Sequence, residues 1–210
     1  MPAFSSFDTR NYPTVTPREG YRVWSASYEE TIKEDMDLRL LERIRTIRWD
    51  DVERAADLGC GTGRTGSWLR ARSVWQVDGV DFTPEMLGRS RARGVYDRLE
   101  LAEVTDSGLD AGRYALVTTV LVDEHHAALG PLYCEAARLA QPGAAHVLVG
   151  FHPFFIMKSG MPTHFVPRTE RRWRSRRTST SSRSMSRPPS PAAGRSRRCT
   201  SSSSMSGGLP

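Results

Sequence analysis

Asp57-Leu58-Gly59-Cys60-Gly61-Thr62-Gly63-Arg64-Thr65-Gly66 sets a carboxylate at the end of a short apolar run, then glycine at every second position, then a further glycine. Without Cβ atoms such a turn is tight and a ligand can approach its bare backbone. Ser67-Trp68-Leu69-Arg70 begins a helix whose amino end offers free N–H donors. A second carboxylate, Asp81, ends Val74-Trp75-Gln76-Val77-Asp78-Gly79-Val80-Asp81 and can accept both hydroxyls of a ribose. Farther on, Asp123-Glu124-His125-His126 gathers polar groups. His125 within hydrogen-bond reach of an acceptor would take its proton. The same cluster also suits a surface or helix-capping role. His152 and His164 sit in apolar sequence and fit either substrate contact or structural duty, and the histidine spacing matches no metal site. Cys60 reads as a small packing residue whose backbone faces the ligand.

Stepping strands must carry these groups. Ala55–Leu58, Val74–Asp81, Leu99–Val104, Tyr114–Val122 and Ala145–Phe151 are the strand candidates, the fourth being the most apolar and β-branched. Helical stretches lie between them: one after the glycine turn, one from Thr83-Pro84, and one over Pro131–Ala140 that Gln141-Pro142-Gly143 ends. Strands alternating with helices predict an α/β fold, a Rossmann-like, doubly wound, mostly parallel sheet with helices on both faces. Before it, Ile32, Met36, Leu40, Ile44 and Ile47 recur at helical spacing and predict one amphipathic helix from Ser25 to about Arg48, packed on the sheet. Tyr21-Arg22-Val23-Trp24-Ser25-Ala26-Ser27-Tyr28 is aromatic enough for core or for a lid over a small ligand. His152–Pro167, with three prolines and no period, suits a loop over the carboxyl end of the sheet.

The glycine turn fits two ligands. Gly61-Thr62-Gly63-Arg64-Thr65-Gly66 matches the dinucleotide pattern Gly-x-Gly-x-x-Gly of a nicotinamide-dependent oxidoreductase. Asp57 to Gly63 matches acid-x-Gly-x-Gly-x-Gly. A carboxylate so close to a pyrophosphate is unfavourable. S-adenosylmethionine carries no phosphate and is cationic at its amino group and sulfonium, so the acid favours it. No Gly-Lys-Ser/Thr follows, which excludes a phosphate-binding loop. Asp-Leu-Gly-Cys-Gly-Thr-Gly-Arg, with Gly79-Val80-Asp81-Phe82-Thr83-Pro84-Glu85-Met86-Leu87, resembles motif I and the following motif of the class I S-adenosylmethionine-dependent methyltransferases. The resemblance covers about residues 21–167. It implies that Asp57, Gly59, Cys60 and Gly61 shape the cofactor turn, that Asp81 holds the ribose, and that Phe82 and Met86 lie by the adenine. It also implies that Glu103 and Val104 stand where the family often has Ala-Asp-Val, Glu103 being one methylene longer. Leu121 to His125 would then line the methyl-transfer pocket, and Tyr21 to Tyr28 would match the family's Tyr-x-x-Trp-x-x-x-Tyr lid, with Tyr28 at the cofactor. The methyl acceptor is not implied; a small molecule is expected.

The net charge of +6 conceals two halves. Ten arginines and no acid lie between Arg171 and Pro210, so the other 20 basic residues and all 24 acids leave residues 1–170 at −4. The division expected is an irregular arm over 1–20, the cofactor-binding domain over 21–167 and a disordered Arg/Ser/Pro-rich tail over 168–210. The tail admits three origins: a nucleic-acid-binding arm that directs methylation to RNA, a tail without partner, or out-of-frame translation. Only two of the basic residues are lysine, which suits a GC-rich gene and the third origin. The later helix and strands usual in the family are then expected to be missing, and an inactive, truncated remnant is a further alternative. Three widely spaced cysteines suit reduced thiols in the cytoplasm, and no membrane-spanning run or signal peptide is evident.

Overall fold

The computed structural model of the chain describes residues 14–32, 35–152, 154, 164–165 and 173–175. The chain enters through β1 (Thr14–Val15), α1 (Pro17–Trp24), α2 (Tyr28–Thr31) and α3 (Met36–Leu41). It then alternates: β2 (Arg54–Leu58), α4 (Arg64–Arg70), β3 (Gln76–Asp81), α5 (Pro84–Arg93), β4 (Arg98–Leu101), β5 (Tyr114–Val120), α6 (Gly130–Leu139) and β6 (Ala140–Val149). The five later strands pair in parallel in the order β4-β3-β2-β5-β6. The chain therefore runs outward from β2 to β4, returns, and runs the other way through β5 and β6. The crevice between the carboxyl ends of β2 and β5 is the place where such a sheet takes a ligand. The Rossmann-like parallel sheet is the fold that the alternation predicts.

Side-chain alternation along the strands divides the core between the two faces of the sheet. Ala55, Val77 and Leu116 join Trp68 and Leu69 of α4 and Leu41 of α3 on one face. Ala56, Leu58, Val80 and Val117 join Leu132, Ala136 and Leu139 of α6 on the other. Each wholly buried leucine here contributes about 1.5–3 kcal/mol of transfer free energy. Two buried polar groups on the α6 face are satisfied. Tyr114 donates its hydroxyl to Asp78 at 2.8 Å. Glu135 accepts from Ser107 N at 2.9 Å and from Arg138 Nη2 at 2.7 Å, and Arg138 also reaches the carbonyl of Leu109. That bracket fixes the segment after β4 that carries Val104 to the crevice.

Four expectations change. The single helix over Ser25–Arg48 is replaced by α2 and α3. Its proposed stripe is wrong in part: Met36 and Leu40 are exposed, whereas Leu41 is fully buried and Leu38, Ile44 and Ile47 pack around the α4-face core. The cause is polar. Glu29, Asp35 and Asp37 are drawn to groups of the glycine turn and α5, so the segment wraps the turn and does not lie along the sheet. The irregular arm gives way to structure early: α1 starts at Pro17, and the Thr16 hydroxyl caps it by accepting from Glu19 N. The third strand stops at Leu101, where its pairing with Asp81 ends, leaving Glu103 and Val104 beyond the ladder. Strand structure also appears inside the stretch assigned to the disordered tail. β7 (His164–Phe165) pairs antiparallel with β8 (Trp173–Ser175), which pairs parallel with β1. The rest of the expected tail, most of the loop over His152–Pro167 and the start of the arm lie outside the described residues.

Candidate functional site

The glycine turn lies directly at the crevice. Gly59 N and Cys60 N both donate to Val80 O, at 2.8 and 2.9 Å, which seats the turn across the end of β3. Gly63 N returns to Cys60 O at 2.9 Å and α4 begins at the next residue. From α5, Ser90 Oγ donates to Gly61 O at 2.7 Å and Arg93 Nε to Thr62 O at 2.9 Å. The turn is thus held from both sides. A Cβ built on Gly61 would meet nothing within 4 Å, because the space it would enter is cavity.

That cavity has a volume of ≈ 440 Å³. Of the residues expected at the cofactor, Tyr28, Gly59, Cys60, Gly61, Asp81, Phe82, Met86, Glu103, Val104 and Leu121 line it, and so does His125. Asp57 does not. It is 1% exposed and lies behind the turn, with one carboxylate oxygen accepting from Tyr96 at 2.7 Å and the other from Thr118 at 2.9 Å. Side-chain alternation along β2 sends it to the α4 face, so contact with a ligand in the cavity is replaced by an influence through the turn. Burial lifts its carboxyl to about 6, the two hydrogen bonds opposing and the Asp81 charge adding to the rise.

Asp81 occupies the centre. One oxygen accepts from Gly61 N at 3.0 Å and the other from Thr83 N at 2.8 Å. Each oxygen keeps a further lone pair, and a carboxylate can accept about four hydrogen bonds. Burial raises the Asp81 carboxyl from its ordinary value, with the Thr83 and Gly61 amides acting against that rise. The Cys60 thiol, a free cysteine 5% exposed, is pushed far up by burial and by the two nearby carboxylates, so it remains a thiol.

Tyr21 and Val122 line it as well, within the two segments expected there, whereas Arg18, Asp37, Thr62, Arg64, Thr65 and His126 were not foreseen. Arg64 is the most informative. Its guanidinium pairs with Asp37 at 3.0 Å and Asp35 at 3.2 Å, the first partner being 11% exposed. Its Nε is buried with no hydrogen-bond partner. An orphaned donor of this kind, beside a cavity, is unfavourable unless a ligand completes it. The signal was present as the arginine directly after the third glycine; its partners, 27 and 29 residues upstream, were not visible. Leu121 has a left-handed backbone, φ 57°, and lines the cavity just beyond β5. Such a conformation in a β-region residue costs about 1–3 kcal/mol and tends to mark functional places.

The aromatic segment lies along the cavity, with Tyr21 and Tyr28 in its lining. Tyr21 stacks on Trp24 at 5.8 Å, and Trp24 meets Tyr28 edge-on at 4.8 Å. Tyr21 Oη lies 2.9 Å from His125 Nε2 across the cavity, so α1 and the 3-10 turn Asp123–His125 meet there. Glu124 Oε1 is 3.9 Å from the same nitrogen. Burial lowers the neighbouring His126, favouring the neutral ring. Around the rim, Glu29 accepts from Thr62 and, at 2.7 Å, from Arg93. Arg18 lies over the Phe82 ring at 5.3 Å and reaches Glu103 at 3.5 Å. Of the loop histidines, His152 is exposed and its Nδ1 accepts from Phe154 N; the His164 side chain lies outside the described residues. Among the described residues no cluster of three or more metal-ligating side chains occurs, and no helix is long and apolar enough to cross a membrane.

Residues 56–148 match a family model described as a methyltransferase domain. The human methyltransferase-like protein 27 is 47% identical over 91 residues, covering 39% of this chain and 35% of its own length. The chain thus spans about a third of the curated relative it matches. The structure of a complex of DhpI with SAM and HEP superposes with a TM-score of 0.50 over 74% of this chain and 79% of that one; at 18% identity the likeness is one of fold. An S-adenosylmethionine dependent methyltransferase from Mesorhizobium loti is 27% identical over 49% of each chain, with a TM-score of 0.44.

Proposed function

We propose that this chain, whose residues 56–148 match a methyltransferase-domain family model, transfers a methyl group from S-adenosylmethionine to a small-molecule acceptor in the cytoplasm. The family match sets aside the nicotinamide reading of the glycine turn. The observation that carries the site assignment is Asp81, whose two oxygens are each fixed by a backbone amide and open toward the cavity.

The residues present fit the cofactor. Asp81 would accept the two ribose hydroxyls. Phe82 and Met86 would lie against the adenine, and Glu103 would accept from its amino group. Gly61 leaves the backbone open for close approach. The unpartnered Nε of Arg64 suits the carboxylate of the methionine part, and Asp37 beside it suits the ammonium. Bound here, the cofactor supplies an electrophilic methyl on a sulfonium. The protein's part is to align an acceptor with it and, where the acceptor is protonated, to remove that proton. His125 is the base in this account, and Tyr21, 2.9 Å from its Nε2, orients the ring. Leu121 and Val122 shape the passage between the two partners.

The volume of the cavity supports a small acceptor. At ≈ 440 Å³ the cavity lies low in the range of about 300–1,000 Å³ that encloses one drug-sized ligand. Incubating the full chain with methyl-labelled S-adenosylmethionine and a cell extract, then separating products by size, tests this. Label in the low-mass fraction is expected. Label in RNA would replace the small acceptor by the arginine-rich tail's alternative.

A further inference from the structure

Tyr96 was not singled out by the sequence and does not line the cavity, yet it packs against Gly63 and Gly66 and bonds to Asp57 behind the glycine turn. Its hydroxyl donates to Asp57 Oδ2 at 2.7 Å and accepts from Gly66 N at 3.2 Å. Gly66 is in the first turn of α4, where backbone N–H groups lack a helical partner. The phenol therefore satisfies a helix amide on one side and a buried carboxylate on the other.

Two glycines make this reach feasible. A Cβ on Gly66 would stand 2.4 Å from Tyr96 Cζ and 2.6 Å from its hydroxyl. A Cβ on Gly79, in β3, would stand 2.9 Å from the ring edge. Gly66 and Gly79 form a socket for the ring between helix and sheet. The third glycine of the apparent dinucleotide pattern thus makes room for a phenol, which explains why that pattern matched without a phosphate site.

The residues on either side of Tyr96 are clamped. Arg70 of α4 donates to Val95 O at 2.8 Å and to Asp97 Oδ2 at 2.6 Å. Asp97 N donates to Val77 O, and its carboxylate accepts from Val77 N, both at 2.8 Å. Such anchoring fixes where the hydroxyl stands.

We propose that Tyr96 is a positioning residue for the cofactor site, coupling the Asp57 carboxylate behind the glycine turn to the first turn of α4 and so sustaining the negative charge beneath a cationic ligand. This rests on the cofactor reading above. The groups facing Asp57 are Tyr96 from the segment before β4, Thr118 from β5, Asp81 from the end of β3 and Cys60 from the turn. Burial and the Asp57 charge both hold the phenol protonated, so it donates. It is one of two hydroxyls that favour the charged form of Asp57. Without it the carboxyl stays protonated to higher pH.

The test is binding of S-adenosylmethionine to the full chain by calorimetry between pH 5 and pH 8. Wild type should lose affinity as the pH falls through about 6, where Asp57 takes up its proton. Tyr96→Phe keeps the ring in its socket and removes the hydroxyl. It should lose affinity from a higher pH, bind about five- to tenfold more weakly at pH 7, and converge with wild type at pH 5. Thr118→Val, which removes the other hydroxyl, should shift the profile in the same direction. Histidines are common to all three proteins, so the difference between profiles reports Asp57. A Tyr96→Phe profile parallel to wild type, or displaced only in Thr118→Val, would overturn the role of Tyr96. Absence of binding by wild type at every pH would overturn the cofactor reading and this inference with it.

Discussion

Replacing Asp81 by asparagine is expected to weaken S-adenosylhomocysteine binding by at least about a hundredfold, since two hydrogen bonds donated to a charged acceptor are each worth about 1.5–3 kcal/mol. The loss has two sources. An amide cannot accept a ribose hydroxyl at both of its heavy atoms. Its NH₂ group must also face either Gly61 N or Thr83 N, both donors, at 3.0 and 2.8 Å in the native arrangement. The variant should still fold, because asparagine keeps the volume of Asp81 and can still accept from one of the two backbone amides at its oxygen. Titration calorimetry alongside a circular-dichroism melt separates the two effects. A loss smaller than about threefold, with the fold intact, would remove Asp81 from the centre of the site.

Gly59→Ala should unfold at lower denaturant, losing about 2–5 kcal/mol, the sum of a left-handed backbone for alanine and overpacking against a stiff neighbour. Gly59 has φ 78°, and its added Cβ would stand 2.3 Å from Val122 Cγ2. Valine has one preferred rotamer in such surroundings and cannot swing away freely. The neighbouring Gly61→Ala gives the contrast. Its φ is 52°, so it shares the backbone cost, but its Cβ meets no atom within 4 Å and projects into the cavity. Gly59→Ala should therefore show the larger shift in urea midpoint, and Gly61→Ala the larger loss of cofactor affinity per unit of stability lost. Equal effects of the two substitutions on both measurements would contradict the placement of the turn.

Much of this was legible in the sequence because it is local. The alternation of apolar strands with helical stretches is written in periods of two and about 3.6, and it yields the parallel sheet. The glycine spacing after Asp57 and the acid closing the next strand likewise belong to single segments. What the sequence did not disclose is contact across segments. Arg64 meets Asp37 and Tyr21 meets His125 over 27 and 104 residues, and no periodicity reports such pairs. The same limit misplaced Asp57. Its charge argues for a cationic ligand, but its side of β2 is set by the register with β3 and β5, which puts Tyr96 and Thr118 against it. The helix expected over Ser25–Arg48 failed for a related reason. Its apolar spacing is real, yet ion pairs from Asp35 and Asp37 to Arg64 and from Glu29 to Arg93 bend the segment around the turn. Tertiary electrostatics there outweighs a weak helical preference.

The aromatic segment and the sheet thus meet at the glycine turn, and what that turn binds decides the proposed function. Calorimetric titration of the full chain with S-adenosylhomocysteine, and separately with NAD, is the direct measurement. The account predicts one site for S-adenosylhomocysteine and no heat of binding with NAD. Binding of NAD without S-adenosylhomocysteine would contradict it.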